Sequence, residues 1–231
     1  MFLTEYVLSF DPGVSTGVAL LGYNEVEPAY LIKAWQFSNG VSGLLSWLGE
    51  HWRESYWDSE WGTQYPPTLW LPELGPDKQY FWAGSTLEDS FNPENGDYEM
   101  AEAERGNLTV ICEKFTARNT NGFSYTTVSL EPLRCEGALI AKSVMDDYAN
   151  GNARWRDPSM QYLVGGKDLA DKKKRQHAFL GESGFYVTGR KDLGAPNADD
   201  ARSAIAHGLS YIYRVLEHKP TYNLVSQWTK E

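Results

Sequence analysis

Short apolar or alternating runs, separated by clusters of Pro, Gly, Ser and Asn, open the chain at Glu5 to Phe10, Gly17 to Leu21 and Tyr30 to Phe37. Runs of that length with that punctuation predict three strands in a meander. From Val41 to Trp52 the period changes: Val41, Leu44, Leu45, Trp47 and Leu48 fall at helical spacing, which predicts an amphipathic helix packed on the sheet. Between Arg53 and Asn107 no period holds. Trp57, Trp61, Trp70 and Trp82 are mixed there with Pro66-Pro67, glycines and carboxylates, which predicts an irregular lobe held by its aromatics. The run Leu108 to Glu113 is β-branched and ends in an acid, the pattern of a buried strand. Ser129 to Tyr148 carries Leu133, Gly137, Ala138, Ile140, Ala141, Val144 and Met145 at helical spacing, a face small enough for close packing on the sheet or on another subunit. Met160 to Val164 reads as a fifth strand, Asp171 to Leu180 as a short basic helix capped by Asp171, and Ala198 to Leu216 as a last helix capped by Asn197. The order predicts an α/β fold, a mixed five-stranded sheet with helices on both faces. Its core spans 1–52 and 108–231, and 53–107 is an acidic, Trp-rich insertion lobe.

Composition narrows the class. With 231 residues, 42% hydrophobic and 14% aromatic, there is enough apolar surface for a sizeable core, and global disorder is excluded. No apolar stretch approaches the roughly 18 residues that span a bilayer, so no membrane segment and a cytoplasmic location are expected. Cys112 and Cys135 form no CxxC pair, which gives no support to a disulfide scaffold or a structural zinc site. The net charge of −10 argues against a polyanionic partner only until its distribution is read. Residues 53–107 hold twelve acids against three bases, whereas 154–191 hold nine bases against four acids. A basic patch on a nearly neutral core can bind nucleic acid.

Three acids stand where chemistry is expected. Asp11 ends the first strand and turns through Pro12-Gly13 toward Thr16-Gly17; Glu113 ends the buried strand; Asp200 follows Asn197-Ala198-Asp199 at the start of the last helix. A carboxylate at the end of an apolar strand is costly unless a cation offsets its desolvation. Oxygen ligands without His or Cys at zinc spacing suit Mg2+ or Mn2+, the ions of two-metal phosphoryl chemistry.

At these residues the chain resembles a RuvC-type Holliday junction resolvase, a nuclease of the RNase H-like fold, of the bacteriophage type. Asp11-Pro12-Gly13 with Thr16-Gly17, Val110 to Phe115, and Ala198-Asp199-Asp200-Ala201 with His207 are similar to the family's three acidic blocks. Leu163-Val164-Gly165 and Ala170-Asp171-Lys172 followed by Gln176-His177 resemble its segment around a basic residue beside the active site. The resemblance implies a homodimer that cleaves branched DNA, a four-way junction or fork, with Mg2+ or Mn2+ as substitute. It implies Asp11, Glu113 and Asp200 as metal ligands, Asn197 or Asp199 completing the set, and Lys172 on the phosphate. Lys173, Lys174, Arg175, Arg118, Phe115 and Phe123 would face the DNA.

The chain departs from that pattern at Asn197, where the family carries an acid or histidine and a neutral carbonyl binds a cation more weakly. On an ideal helix 197 and 200 share a face, whereas 199 and 200 diverge by about 100°. His207 shares the face of Asp200 but lies about 10 Å along the axis, so it ranks below the acids. Two rivals remain: an actin-like or sugar-kinase ATPase, which needs a second phosphate loop and a longer chain, and a non-catalytic branched-DNA-binding module on the same fold.

Overall fold

A computed structural model of the chain describes residues 4–53, 56–58, 63–65, 68–74, 79–81, 108–113, 130–146, 154–156, 162–189 and 197–228. Three strands lead, β1 (Glu5–Asp11), β2 (Thr16–Tyr23) and β3 (Tyr30–Phe37), followed by helix α1 (Gly40–His51). Short strands β4 (Trp52–Arg53), β5 (Tyr56–Asp58), β6 (Thr63–Tyr65), β7 (Thr68–Trp70) and β8 (Gln79–Phe81) come next, with a 3-10 turn at Pro72–Leu74. The chain then builds β9 (Leu108–Glu113), α2 (Glu131–Asp146), β10 (Arg154–Arg156), α3 (Leu169–Glu182), α4 (Asp199–Arg214) and α5 (Lys219–Ser226).

The main sheet has the order β10-β9-β1-β2-β3. It is mixed: β1, β2 and β3 pair antiparallel, whereas β9 runs parallel to both β1 and β10. The strand expected at Met160 to Val164 does not form over its described part, residues 162–164; the outer strand is Arg154–Arg156 instead. Leu163 and Val164 are buried in the core as irregular chain, and the Leu163 N–H is satisfied by the Gln176 side chain at 2.9 Å rather than by a ladder.

Strand period sorts side chains onto two faces. Val7, Ala19, Leu21 and Ile111 point to one face, where α3, α4 and α5 contribute Phe179, Leu180, Ala204, Ile205, Leu209, Ile212 and Val225. Leu8, Phe10, Val18, Leu20, Val110 and Cys112 point to the other, against Leu44, Trp47 and Leu48 of α1 and Cys135 and Leu139 of α2. Each fully buried large aliphatic contributes about 1.5–3 kcal/mol, so Ile205→Ala, which also leaves a cavity, would cost about 2–5 kcal/mol. Leu71 is fully buried in the second cluster and Leu74 packs against it, so this part of 53–107 is anchored on the core.

Helix α4 sits close to the sheet because the facing residues are small. A Cβ on Gly17 would overlap the backbone of Asp200 and Ala201, and one on Gly208 would strike Leu21. Buried Ser9 fixes the spacing by donating its hydroxyl to the Ala204 carbonyl. Helix α5 escapes prediction from the sequence: it is eight residues long, begins Lys-Pro and buries only Thr221 and Val225.

Candidate metal centre

The parallel pairing of β1 and β9 brings two acids to the same sheet end. Phe10 lies opposite Cys112 in the register, so the next residues, Asp11 and Glu113, emerge side by side. Alternation puts both on the face of Val7, Ser9 and Ile111, the face that α4 covers. The third member comes from α4. Donor atoms of Asp11, Glu113 and His207 lie within 4.8 Å of one another, and His207 Nε2 is 3.3 Å from Glu113 Oε2.

Burial, first, and then the neighbouring Glu113 and Asp200 carboxylates push the Asp11 carboxyl well above its ordinary value, against a smaller lowering by the Ser203 hydroxyl. Asp200 is also raised, chiefly by burial, while a hydrogen bond from Ser15 opposes the shift. The His207 imidazole is fully buried, and among the described residues neither ring nitrogen has a hydrogen bond of proper geometry. Crowded carboxylates beside an unsatisfied buried imidazole form a donor set that a divalent cation would relieve. Two carboxylates and one imidazole fit Mn2+ well and Mg2+ less completely, since Mg2+ prefers oxygen throughout.

No family model matches the chain, and no curated protein matches it. A solved structure described as T. thermophilus RuvC in complex with Holliday junction substrate is similar at 12% sequence identity, over 92% of this chain and 96% of that one, with a TM-score of 0.41. A likeness this distant assigns no activity to the chain.

Asp200, expected among the ligands, stands beside the cluster, close enough to raise Asp11 yet outside the group of three. The arithmetic that separated His207 from Asp200 holds, but the cluster is placed further along the helix. Asp200, Ser203 and His207 form an i, i+3, i+7 ladder on one face of α4, alongside Asp11. That shared face is readable from the sequence; which turn of it meets Asp11 and Glu113 is set by where α4 lies on the sheet.

Asn197, expected as the cap of α4, lies one residue before the cap position, and its Oδ1 accepts from the Asp199 N–H at 3.5 Å. The cap residue is Ala198, with no side-chain hydrogen bond, and Gln36 of β3 acts instead: its Oε1 accepts from the Ala201 N–H at 3.1 Å. Gln36 Nε2 donates to Asn197 Oδ1 at 3.4 Å, so the exposed Asn197 is turned toward β3. Asp199 is 60% exposed and paired with Arg202. Buried Arg202 also donates to the Val187 carbonyl at 2.7 Å and lies over the Tyr186 ring, tying the chain after α3 to the start of α4. Neither Gln36 nor Arg202 carries a sequence signal, because each acts across a long stretch of chain.

The turn after Asp11 is held from several sides. Thr16 Oγ1 lies 3.3 Å from both the N and O of Gly13, and the Gly40 N–H donates to the Val14 carbonyl at 2.9 Å. Cys112 and Cys135 are buried thiols with raised pKa, mainly from burial, which suits packing rather than reactivity.

The basic helix is capped by Asp168, not Asp171; the Asp168 side chain accepts from the Asp171 N–H at 2.8 Å. Lys172 is in its first turn, half-buried, and makes no ion pair with Asp11, Glu113 or Asp200 among the described residues. Lys173 lies on the side of His177, whose pKa is lowered first by partial burial and then by Arg202 and Lys173, against an opposing effect of Asp199. Lys174 and Arg175 lie on the side of α5. Phe115, Arg118 and Phe123 fall outside the described residues.

Proposed function

We propose that the chain is a metal-dependent endonuclease that hydrolyses phosphodiesters in branched DNA, most closely a Holliday junction resolvase. The observation that carries the reading is the convergence of Asp11, Glu113 and His207 at one end of the two parallel strands, with Asp200 adjacent. Mg2+, or Mn2+ in its place, would be held by these three side chains. When bound, such an ion supplies a Lewis acid and a water acidic enough to attack phosphorus near neutral pH. The protein's own part is to hold the donors in place. Ser203 orients Asp11, Ser15 fixes Asp200, and Gln36 pins the first turn of α4, so the carboxylates need not reorganise when substrate arrives. Lys172 and Lys173, at the start of α3, supply positive charge for the phosphate backbone.

A homodimer would present two such centres for paired cuts. Leu45 of α1 and Leu130 and Leu133 at the start of α2 are exposed, and Gly137 has open space around it, which makes this face available to a second copy. Sedimentation should show a dimer; a monomer both free and DNA-bound would remove this part of the proposal.

The test of the activity is cleavage of synthetic four-way, three-way, flap and linear duplex DNA with Mg2+ and with Mn2+. The expected result is metal-dependent incision of a branched substrate in preference to linear duplex. Tight junction binding with no incision under either metal would instead favour the non-catalytic module.

A further inference from the structure

Helix α3 divides its cations between two sides. Lys173 and His177 lie toward the start of α4, whereas Lys174 and Arg175 are rotated about 100° and 200° from Lys173 around the helix. On that second side lies a cleft of about 580 Å³ lined by Lys167, Asp171, Lys174, Arg175, Gln227 and Trp228. Its Asp171 carboxylate already accepts from the Lys167 backbone N–H at 2.9 Å, and Arg175 donates to the Trp228 carbonyl at 2.8 Å. Lys167 and Lys174 have no ion pair among the described residues.

The cleft gathers three cations, Lys167, Lys174 and Arg175, around one carboxylate, Asp171, and its lining is therefore net positive and attractive to an anion. The indole of Trp228 is held by an edge contact to Phe179, ring centroids 5.8 Å apart, which gives the cleft a fixed wall. The exposed positions of α3 include the cations Lys173 and Lys174, His177 and the small Ala170 and Ala178, with the acid Glu182 at the far end of the helix. The small side chains let a large polyanion approach, and the cations lead from the cleft toward the start of α4.

We infer that this cleft binds a phosphate of a nucleic-acid backbone, anchoring a duplex arm at a point separate from the metal centre. The inference rests on the reading of DNA as the substrate, and its test avoids cleavage altogether. The full chain, in chelator, is titrated with a ~30-base-pair duplex and separately with inorganic phosphate. The readouts are the fluorescence difference between wild type and Trp228→Phe, and the dependence of duplex affinity on salt.

Duplex should give a saturable Trp228-dependent signal. The double variant Lys167→Ala/Lys174→Ala should lose that signal, lower the slope of log affinity against log salt by about 2, and raise Kd roughly tenfold near 0.1 M salt. Both lysines are exposed, and Lys174→Arg, which keeps the charge, should retain the wild-type slope. An unchanged signal and slope in the double variant would overturn the inference. A Trp228 signal with inorganic phosphate and none with duplex would also overturn it, by making the cleft a small-anion site. Absence of metal-dependent incision by the wild-type chain would count against the proposed function and leave this binding result untouched.

Discussion

Helices α3 and α4 begin in opposite ways. Helix α3 is capped from within its own sequence, Asp168 accepting from Asp171 three residues on, and Asp171 reaching back to Lys167. At α4 the cap residue Ala198 makes no side-chain hydrogen bond and the local one from the Asp199 N–H to Asn197 Oδ1 is long, 3.5 Å; Gln36, 165 residues before Ala201 on β3, makes the shorter bond to the first turn. A local cap fixes where a helix starts along the chain, whereas a cap from the sheet fixes where it starts in space. The second is needed where the helix carries groups that must meet Asp11 and Glu113 on other elements.

The largest expected effect comes from the cluster itself. Asp11→Asn and Glu113→Gln should each lower metal-dependent incision by more than about 100-fold, measured as single-turnover rate, while junction affinity in chelator is unchanged. Asp11→Asn should at the same time raise the Tm of the metal-free protein near neutral pH. The folded-state pKa of Asp11 is raised above the ordinary 3.8, so the folded state holds its proton more tightly than the unfolded chain. Stability is therefore lost as pH rises through that window, and thermal scans from pH 4 to 8 should show wild type falling relative to the variant. The same competition predicts that more metal is needed for half-maximal incision as pH is lowered.

Next comes Gly17→Ala, whose Cβ would collide with the backbone of Asp200 and Ala201. It should cost about 1–3 kcal/mol and raise the half-maximal metal concentration more than tenfold. Its counterpart in α3, Gly181→Ala, meets open space and should be neutral or stabilising by up to about 1 kcal/mol, with metal dependence unmoved. Denaturant titration paired with a metal titration reads both.

The caps provide a finer contrast. Gln36→Ala and Asp168→Ala should each cost about 1 kcal/mol, or roughly 2–4 °C in Tm. Only Gln36→Ala should also raise the metal requirement, by about tenfold. Equal effects on metal dependence would erase the distinction between the two helix starts. The smallest effect belongs to Asp199→Asn: the carboxylate is mostly exposed and engaged with Arg202, so the half-maximal metal concentration should change less than twofold.

What the sequence revealed follows the same division. Strands β1, β2, β3 and β9 and helices α1 and α4 were legible because each carries its own period, and Asp11 and Glu113 because each closes an apolar run. The outer strand was misplaced, since the buried Leu163-Val164 pair imitates a strand while its backbone is satisfied by Gln176. The sequence places His207 below the acids, and distance along one helix does not say which turn faces the sheet edge. Ser9, Gly17 and Gly208 settle that by setting where α4 lies. Gln36 and Arg202 were invisible, as contacts made across the fold leave no pattern in a local window.

Pulsed electron paramagnetic resonance of bound Mn2+ tests the central claim most directly, because it identifies the ligand atoms. One equivalent of Mn2+ should bind and show nitrogen coupling from a single imidazole. That coupling should disappear in His207→Gln and persist in Asp200→Asn, and Asp11→Asn should weaken binding itself. Nitrogen coupling that survives in His207→Gln, or Mn2+ affinity indifferent to Asp11 and Glu113, would contradict the assignment of Asp11, Glu113 and His207 as the metal centre.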